Sequence, residues 1–582
     1  MAEYQGPAGR RRPVVFLLHL GALIAAALLF AASFPNPLFS NGLPLLAWIA
    51  YVPVFYLVNT CSWKSSVVWG ALYGYSAYGL FNYWLTTFHP LAGTFVGLIY
   101  LLYFAVLFPL LKAASYCFRR RGYLVQWALW ISYEYLRTLG FLGYPYGISG
   151  YSQWQLWPVT QIASLFGVWG VSALVVFPSA ACAWILRGLD SQPARQKQAA
   201  SRQKQAASRR EGRPSRQEQA ALPPAQDLKR ALKNSAIRFI FRERYMLGAW
   251  VFALVFTLVF GLIRGSDDYA GRPYARLALI QHNDDPWRGG IAANRKNLEV
   301  LKRLSLEALA EDPRPDLVVW SETAFVPRIF WHATYREDQE SYRLVRELLD
   351  FLETQDVPFV IGNDDGRKDP VKNPDPSKDH RIDYNAAILF DRGKEIEKYR
   401  KLHLVPFTES FPYKKQFPRI YAALEKADTH LWEPGDTPTV FNSRGIKFST
   451  PICFEDSFGY LSREFVRQGA ELIVNLTNDA WSKSLSAQMQ HLSMAVFRAV
   501  ENRRSMVRST ASGQTCAIDP SGKILAMAPP FSEARLTVSV PLMDEETLYT
   551  RRGDYVPLLA IGFSLLSFTW ALIRIAINRK KV

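Results

Sequence analysis

Three residues in the second half of this chain could perform nucleophilic chemistry together. Glu322 ends the run LVVWSE, Lys401 lies in KYRKLHLVPF, and Cys453 ends IKFSTPIC. The thiolate is the reactive form of cysteine, and something must take its proton. A carboxylate can accept that proton, and an ammonium can stabilise the oxyanion of a tetrahedral intermediate. Glu, Lys and Cys therefore suffice for acyl transfer. Each also has a plain reading: a solvated charge, one member of a basic run, a buried strand residue. The segment FEDSFGYLSREF after Cys453 predicts a helix. Its N-terminus would lower the thiol pKa through its dipole and its free N–H groups.

The elements that must hold these residues follow from pattern. ARLALIQHN, LVVWSET, PFVIGNDD, YNAAILFD, IKFSTPICF, ELIVNLTND, SMVRSTASG, QTCAIDPSG and ARLTVSVPL read as strands. Helical spacing covers 291–310, 340–354, 458–468 and 485–503. This mixture predicts an α/β (αββα) sandwich, two sheets covered by helix layers. In such folds reactive groups gather at strand ends, where all three residues fall.

The rest of the chain has another character. Apolar stretches at about 14–33, 43–59, 67–87, 94–115, 123–141, 158–186, 245–264 and 556–577 qualify against the ~20 residues a bilayer-spanning helix needs; the second is short, and a tilted or partly re-entrant segment is the alternative there. The first has no small-x-small cleavage site, because SFPNPLFS follows it. The predicted division is transmembrane helices 1–6 over 1–189, a basic low-complexity cytoplasmic insert over 190–244, a seventh span at 245–264, a catalytic domain over 270–550 and an eighth span at 556–577. With the N-terminus inside, the outer loops 34–42, 88–93 and 142–157 hold no Lys or Arg. The inner ones hold Lys64, Arg119-Arg120-Arg121, the insert and Arg579-Lys580-Lys581. That distribution follows the positive-inside rule, so 270–550 is expected outside the cytoplasm and both termini inside.

The net charge of +18 could suggest a nucleic-acid partner, but 187–244 alone carries 15 Lys/Arg against 5 acids, and the other basic clusters flank spans. The charge reads as topology, and no nucleic acid is expected. The insert gives RQKQAAS twice and reads as a disordered or loosely helical tether, solvated or touching anionic headgroups. Five scattered Cys and eight unclustered His exclude a disulfide framework and a zinc site, and no metal or cofactor is expected. Cys516 is expected to be buried and inert. Glu134 and Arg137 lie inside the fifth span, as a functional pair or as a self-neutralising i, i+3 pair.

The order of the three catalytic stretches resembles the carbon–nitrogen hydrolase (nitrilase) superfamily, and the membrane context resembles its apolipoprotein N-acyltransferase family. The matching segments are WISYEYLRTLG, GYPYGISGYSQ, ALIQHN, VVWSETA, YRKLHLVPFTESFP, ICFED and LTNDAW. The resemblance implies a thioester on Cys453 formed from a phospholipid acyl donor, then transfer to the N-terminal S-diacylglyceryl-cysteine of apolipoproteins. It implies Glu322 as general base, Lys401 at the oxyanion, and Glu409 and Glu455 orienting Lys401 and the loops. Asn478 belongs to the site and Trp481 lines the lipid path. It further implies a monomer in the bacterial cytoplasmic (inner) membrane with its catalytic domain on the periplasmic face. Two positions depart from the family pattern: Phe454 stands where Tyr is usual, and Thr408 where Gly is usual. The alternatives are a membrane-tethered amidase acting on a soluble amide, Cys–His catalysis through His403 or His491, and a transporter or scaffold with an inert outer domain.

Overall fold

The computed structural model describes residues 12–88, 90–190, 225–285, 287–368, 381–426 and 431–580. The repeat in the insert lies outside them. Among the described residues, five helices are long and apolar enough to cross a bilayer: Pro13–Ser33, Ala92–Cys117, Ala163–Arg187, Ser235–Arg264 and Tyr555–Arg579. The helices Trp63–Phe81 and Gly122–Leu136 pack among them. The stretch expected at 43–59 is broken into short pieces ending in Val52–Thr60, with Pro44 and Pro53 at the starts of two of them. Proline suits a first helical turn and interrupts a longer one. The expected 158–186 span is likewise divided. A short helix Trp157–Thr160 precedes Ala163–Asp190, which kinks at Gly167, where φ is +64°.

The seventh span extends further toward its N-terminal side than its apolar run suggests. The helix runs from Ala225 to Arg264, with a break in helical geometry at Glu243. That carboxylate is buried and accepts from Arg121 Nε at 3.1 Å, Arg242 Nε at 2.8 Å and the Tyr123 hydroxyl at 3.2 Å.

Residues 274–541 contain two six-stranded sheets. The first has the order β12-β1-β2-β3-β4-β5, from β1 (Tyr274–Gln281), β2 (Leu317–Trp320), β3 (Phe359–Lys368), β4 (Arg381–Asp391), β5 (Lys394–Arg400) and β12 (Ala534–Pro541). The second has the order β11-β10-β9-β8-β7-β6, from β6 (Val440–Ser443), β7 (Ile446–Ser449), β8 (Leu472–Thr477), β9 (Ser505–Thr510), β10 (Cys516–Ile518) and β11 (Ile524–Met527). The centres, β1-β2-β3 and β7-β8-β9, are parallel, and the flanking pairs are antiparallel.

Strand parity divides the first sheet's side chains between two cores. Leu277, Leu279, Val319, Val360 and Leu389 join the cluster that contains Val474, Leu476 and Val507 of the second sheet. Ala278, Ile280, Val318, Trp320, Ile361 and Ile388 pack under the helices Gly290–Leu309 and Gln339–Glu353. Ser509 Oγ on β9 donates to the carbonyls of Ile280 and Val319, joining the sheets across their centre.

The helix Leu485–Asn502 joins these sheets to the apolar helices. Every residue from Ser486 to Asn502 is buried, polar ones included. Gln490 donates to the carbonyls of Pro35 and Phe81 and accepts from Trp84 Nε1. Arg498 donates to the Tyr151 hydroxyl, and Glu501 accepts the Val168 N–H exposed by the break at Gly167.

Within the apolar bundle one close helix approach is glycine-dependent. A Cβ on Gly70 would lie 2.3 Å from the Phe104 carbonyl oxygen, and one on Gly74 would lie 2.2 Å from that of Tyr100. The GALYG segment thus lets two backbones meet, as small residues four apart commonly do in membranes. Gly79 on the same helix faces open space. Gly74→Val should cost about 1–3 kcal/mol by overpacking, whereas Gly79→Ala should stay within about 0.5 kcal/mol of wild type. Thermal unfolding of the detergent-solubilised protein measures both.

Candidate active site

Glu322 lies two residues beyond β2 and is 5% exposed. Its backbone can lie there because β3 offers Gly362, where a Cβ would meet the Ser321 carbonyl oxygen at 2.4 Å and Glu322 Cα at 2.7 Å. Its Oε1 accepts from Asn385 Nδ2 at 2.8 Å and from Lys401 Nζ at 3.2 Å. Its Oε2 accepts the backbone N–H of Asn478 at 2.9 Å.

Lys401 directly follows β5, and its N–H is tied to the Asn385 carbonyl at 2.8 Å. The side chain has no exposed surface, and Nζ also donates to Glu409 Oε1 at 2.9 Å. Burial alone would lower the ammonium pKa, but the carboxylates of Glu322 and Glu409 outweigh it and hold the pKa above the ordinary lysine value. Burial pushes Glu409 up while Lys401 opposes it. Glu409 Oε2 accepts the Val405 N–H, which fixes the loop between them.

Cys453 corrects the helix expectation. β7 stops at Ser449 and Pro451 follows, so the chain is extended but unpaired until Ile452 bridges Leu476. Cys453 itself has φ of +51° and opens a five-residue 3₁₀ turn, and the α-helix begins only at Gly459. The α-helix that follows therefore starts six residues beyond the sulfur, not next to it. The thiol pKa is raised well above its usual value, by burial first and then by Glu322, with Lys401 opposing. The resting group is therefore a thiol.

The left-handed backbone at Cys453 is uncommon for a residue with a Cβ and is held from outside. Asn475 Nδ2 donates to the Pro451 carbonyl at 3.1 Å and to that of Cys453 at 3.4 Å. Glu455, fully buried, accepts from Ile452 N–H at 2.8 Å with one oxygen. The other oxygen accepts from the Tyr399 hydroxyl and the N–H groups of Leu402 and His403 at 2.7–2.9 Å. Burial raises the Glu455 pKa to about 7, against the pull of the backbone donors. One carboxylate thus ties the cysteine turn to the loop after Lys401.

Phe454 is buried against Phe458, His403 and Tyr146, at 5.0, 5.9 and 6.5 Å between ring centroids. The left-handed position near Thr408 is one residue earlier, at Phe407 with φ of +64°. Thr408 itself carries no such strain. Asn478 serves Glu322 through its backbone, while its side chain accepts from the Ala480 N–H. Trp481 lies 5.7 Å from Trp84 of the apolar region.

Both histidines have partners of their own. His403 packs 3.8 Å from the Phe458 ring, its Nδ1 meets the Tyr460 hydroxyl, and burial lowers its pKa to about 4. His491 is enclosed by Asp456, Asp479 and Arg508. Cys516 is buried on β10 with its thiol pushed up to about 12 by burial, and all five cysteines are free.

Glu134 and Arg137 do not form an ion pair with each other among the described residues. Glu134 accepts the Ser149 N–H and hydroxyl. Arg137 donates to the Tyr100 hydroxyl and to the carbonyls of Tyr144 and Tyr146 at 2.6–2.9 Å. Each charge shapes the segment that delivers Tyr146 to Phe454. Gly362, Asn385 and Tyr146 are not named individually by the sequence; the Asn in the strand run YNAAILFD offers a signal, as a polar residue in an apolar strand, and Tyr146 lies in the matching segment GYPYGISGYSQ. Gly362→Ala should displace Glu322 and cost about 1–3 kcal/mol, read by thermal unfolding and by iodoacetamide labelling of Cys453.

Residues 276–549 match the carbon-nitrogen hydrolase family, and residues 26–181 match the apolipoprotein N-acyltransferase N-terminal domain. Apolipoprotein N-acyltransferase 1 of Treponema denticola is 41% identical over 580 residues, covering 98% of this chain and 99% of its own. Apolipoprotein N-acyltransferase 1 of Treponema pallidum is 45% identical over 531 residues, 89% of each. An amidase from Nesterenkonia sp. AN1 aligns with 50% of this chain and 98% of its own at 21% identity and a TM-score of 0.34. With both halves matched and two such relatives spanning nearly its whole length, this chain belongs to the apolipoprotein N-acyltransferase family.

Proposed function

We propose that this chain transfers an acyl group from a phospholipid to the α-amino group of an apolipoprotein's N-terminal S-diacylglyceryl-cysteine. Cys453 Sγ attacks the ester carbonyl of the phospholipid while Glu322 takes the thiol proton. Lys401 and nearby backbone N–H groups hold the oxyanion. Collapse breaks the ester C–O bond, and Glu322 returns the proton to the departing lysophospholipid oxygen. The amine then attacks the thioester, Glu322 takes its proton, the C–S bond breaks, and the sulfur recovers the proton. The product is an amide, and the thiol is regenerated.

The observation that carries this reading is the buried Glu322–Lys401–Glu409 cluster beside a thiol whose pKa is raised. A sulfur that is protonated at rest requires a base, and Glu322 is the carboxylate with the strongest electrostatic effect on it. Glu409, Glu455 and the Asn478 amide orient the cluster; Phe454 and Trp481 line the acyl path. Aromatic residues of the apolar region, Tyr146 and Trp84, meet Phe454 and Trp481, which supports a site opening at the membrane.

We assign the chain eight spans in the bacterial inner membrane, acting as a monomer. We divide it as 1–189, the insert 190–244, a span at 245–264, an αββα catalytic domain at 270–550 and a span at 556–577. Loops without Lys or Arg alternate with basic ones, which supports termini in the cytoplasm and a periplasmic catalytic domain. Both substrates carry acyl chains whose removal from lipid costs about 0.8 kcal/mol per CH₂. A site at the membrane surface avoids that cost, whereas an amidase acting on a soluble amide would gain nothing from the spans.

Incubation of the purified protein with phospholipid should add one acyl mass to Cys453 and release lysophospholipid. Cys453→Ser should abolish the thioester adduct, and Glu322→Gln should slow its formation about 10²–10⁴-fold, the usual contribution of a general base. His403→Ala should still form it. An adduct unaffected by Glu322→Gln, or hydrolysis of soluble amides without lysophospholipid release, would overturn the assignment.

A further inference from the structure

Behind the cysteine turn lies a second cluster of charge that the chemistry above does not use. It has one residue from each of four segments: Asp456 from the cysteine turn, Asp479 from the loop after β8, His491 from the 485–502 helix and Arg508 from β9. None is more than 3% exposed. Arg508 Nη1 donates to Asp456 Oδ2 at 2.6 Å, and its Nη2 lies 3.5 Å from Asp479 Oδ2. His491 Nε2 meets Asp456 Oδ1 at 2.7 Å. Its Nδ1 lies 3.2 Å from Asp479 Oδ1 and equally 3.2 Å from Arg508 Nη2.

The two contacts at Nδ1 make opposite demands. The aspartate wants a proton on the nitrogen, and the guanidinium wants a lone pair. Charge balance decides between them. Two aspartates against one guanidinium leave a buried net negative charge if the imidazole is neutral, and none if it is protonated. An uncompensated buried charge is far more costly than a balanced set. The surroundings agree: burial and Arg508 oppose protonation, but Asp456 and Asp479 outweigh them and raise the His491 pKa to about 9. Tyr146 is the neighbouring ring, with its centroid at 6.4 Å.

We propose that Asp456, Asp479, His491 and Arg508 form a charge-balanced clamp in which His491 is a standing imidazolium. It would position the Cys453 turn against the loop that feeds Glu322. The location of the four residues supports this. Asp456 is three residues beyond the nucleophile, and Asp479 directly follows Asn478, whose N–H holds Glu322. His491 directly follows Gln490, which is fastened to Pro35 and Phe81 of the apolar region. The clamp therefore sets nucleophile and base in one frame with the membrane helices. His491 is a positioning residue and takes no proton in the reaction; this role rests on the assignment of Cys453 and Glu322 above.

Two measurements test it. Solid-state ¹⁵N NMR of the full chain with labelled histidine, in bilayers at pH 7.5, should show both nitrogens of His491 protonated. Assignment through the carboxyl carbons of the two aspartates needs no variant and no activity, so it stands even if the proposed substrates are wrong. A neutral His491 would overturn the proposal. Kinetically, His491→Gln should slow Cys453 acylation by about tenfold or more, and His491→Gln/Asp479→Asn, which restores neutrality, should recover part of that loss. The pH midpoint of acylation should not move. A double variant no faster than the single one, or a shifted midpoint of the kind a general base would give, would sink the idea.

Discussion

A lysine ammonium with no exposed surface cannot exist without compensating charge, and the organisation around Lys401 follows from that. A carboxylate is needed at its Nζ, and two lie within hydrogen-bond distance, Glu322 from the end of β2 and Glu409 from the loop after Lys401 itself. Those carboxylates are then buried too, so each takes further donors: the Asn385 amide and the Asn478 N–H for one, the Val405 N–H for the other. The constraint spreads outward through β3, where only a glycine lets Glu322 approach, and β4, which carries Asn385. Beside this charge the cysteine remains a thiol, because carboxylate and burial both oppose a second anion. The same electrostatics that keep the ammonium charged thus keep the sulfur protonated.

The same economy of buried charge joins the two halves of the chain. The 485–502 helix belongs by sequence order to the sheets, yet its buried polar residues answer unsatisfied groups of the apolar helices. Glu501 accepts the N–H freed by the kink at Gly167, Arg498 reaches Tyr151, and Gln490 bridges Pro35, Phe81 and Trp84. A broken membrane helix is tolerated where protein satisfies its backbone. Arg137 and Glu134 act alike within the bundle, holding the carbonyls and N–H groups of 144–149. The apparent charge pair of the fifth span is thus two separate anchors for one irregular segment.

The substitutions that looked awkward are explained by their neighbours. Phe454 is enclosed by Phe458, His403 and Tyr146, an environment of rings that asks nothing of a hydroxyl. Thr408 escapes backbone strain because Phe407 takes the left-handed position and packs between Phe95 and Phe141 at 5.1 and 5.2 Å.

Local pattern was enough to read the apolar stretches, most of the strands and the three residues at strand ends, because periodicity and motif are written in neighbouring residues. The family resemblance, not local pattern, named Glu409 and Glu455. The helical spacing at 458–468 matches the observed Gly459–Arg467, but the expectation of helix from Phe454 onward fails, since a Pro two residues before the turn and a left-handed Cys favour a 3₁₀ elbow that composition does not reveal. Local pattern could not show Asn385 and Gly362 serving Glu322, the Asp456–Asp479–His491–Arg508 cluster, or the attachment of the 485–502 helix to the membrane side. Those depend on residues tens to hundreds of positions apart meeting in a dry interior. There each buried charge or N–H must find a partner, and only the tertiary fold determines which one it finds.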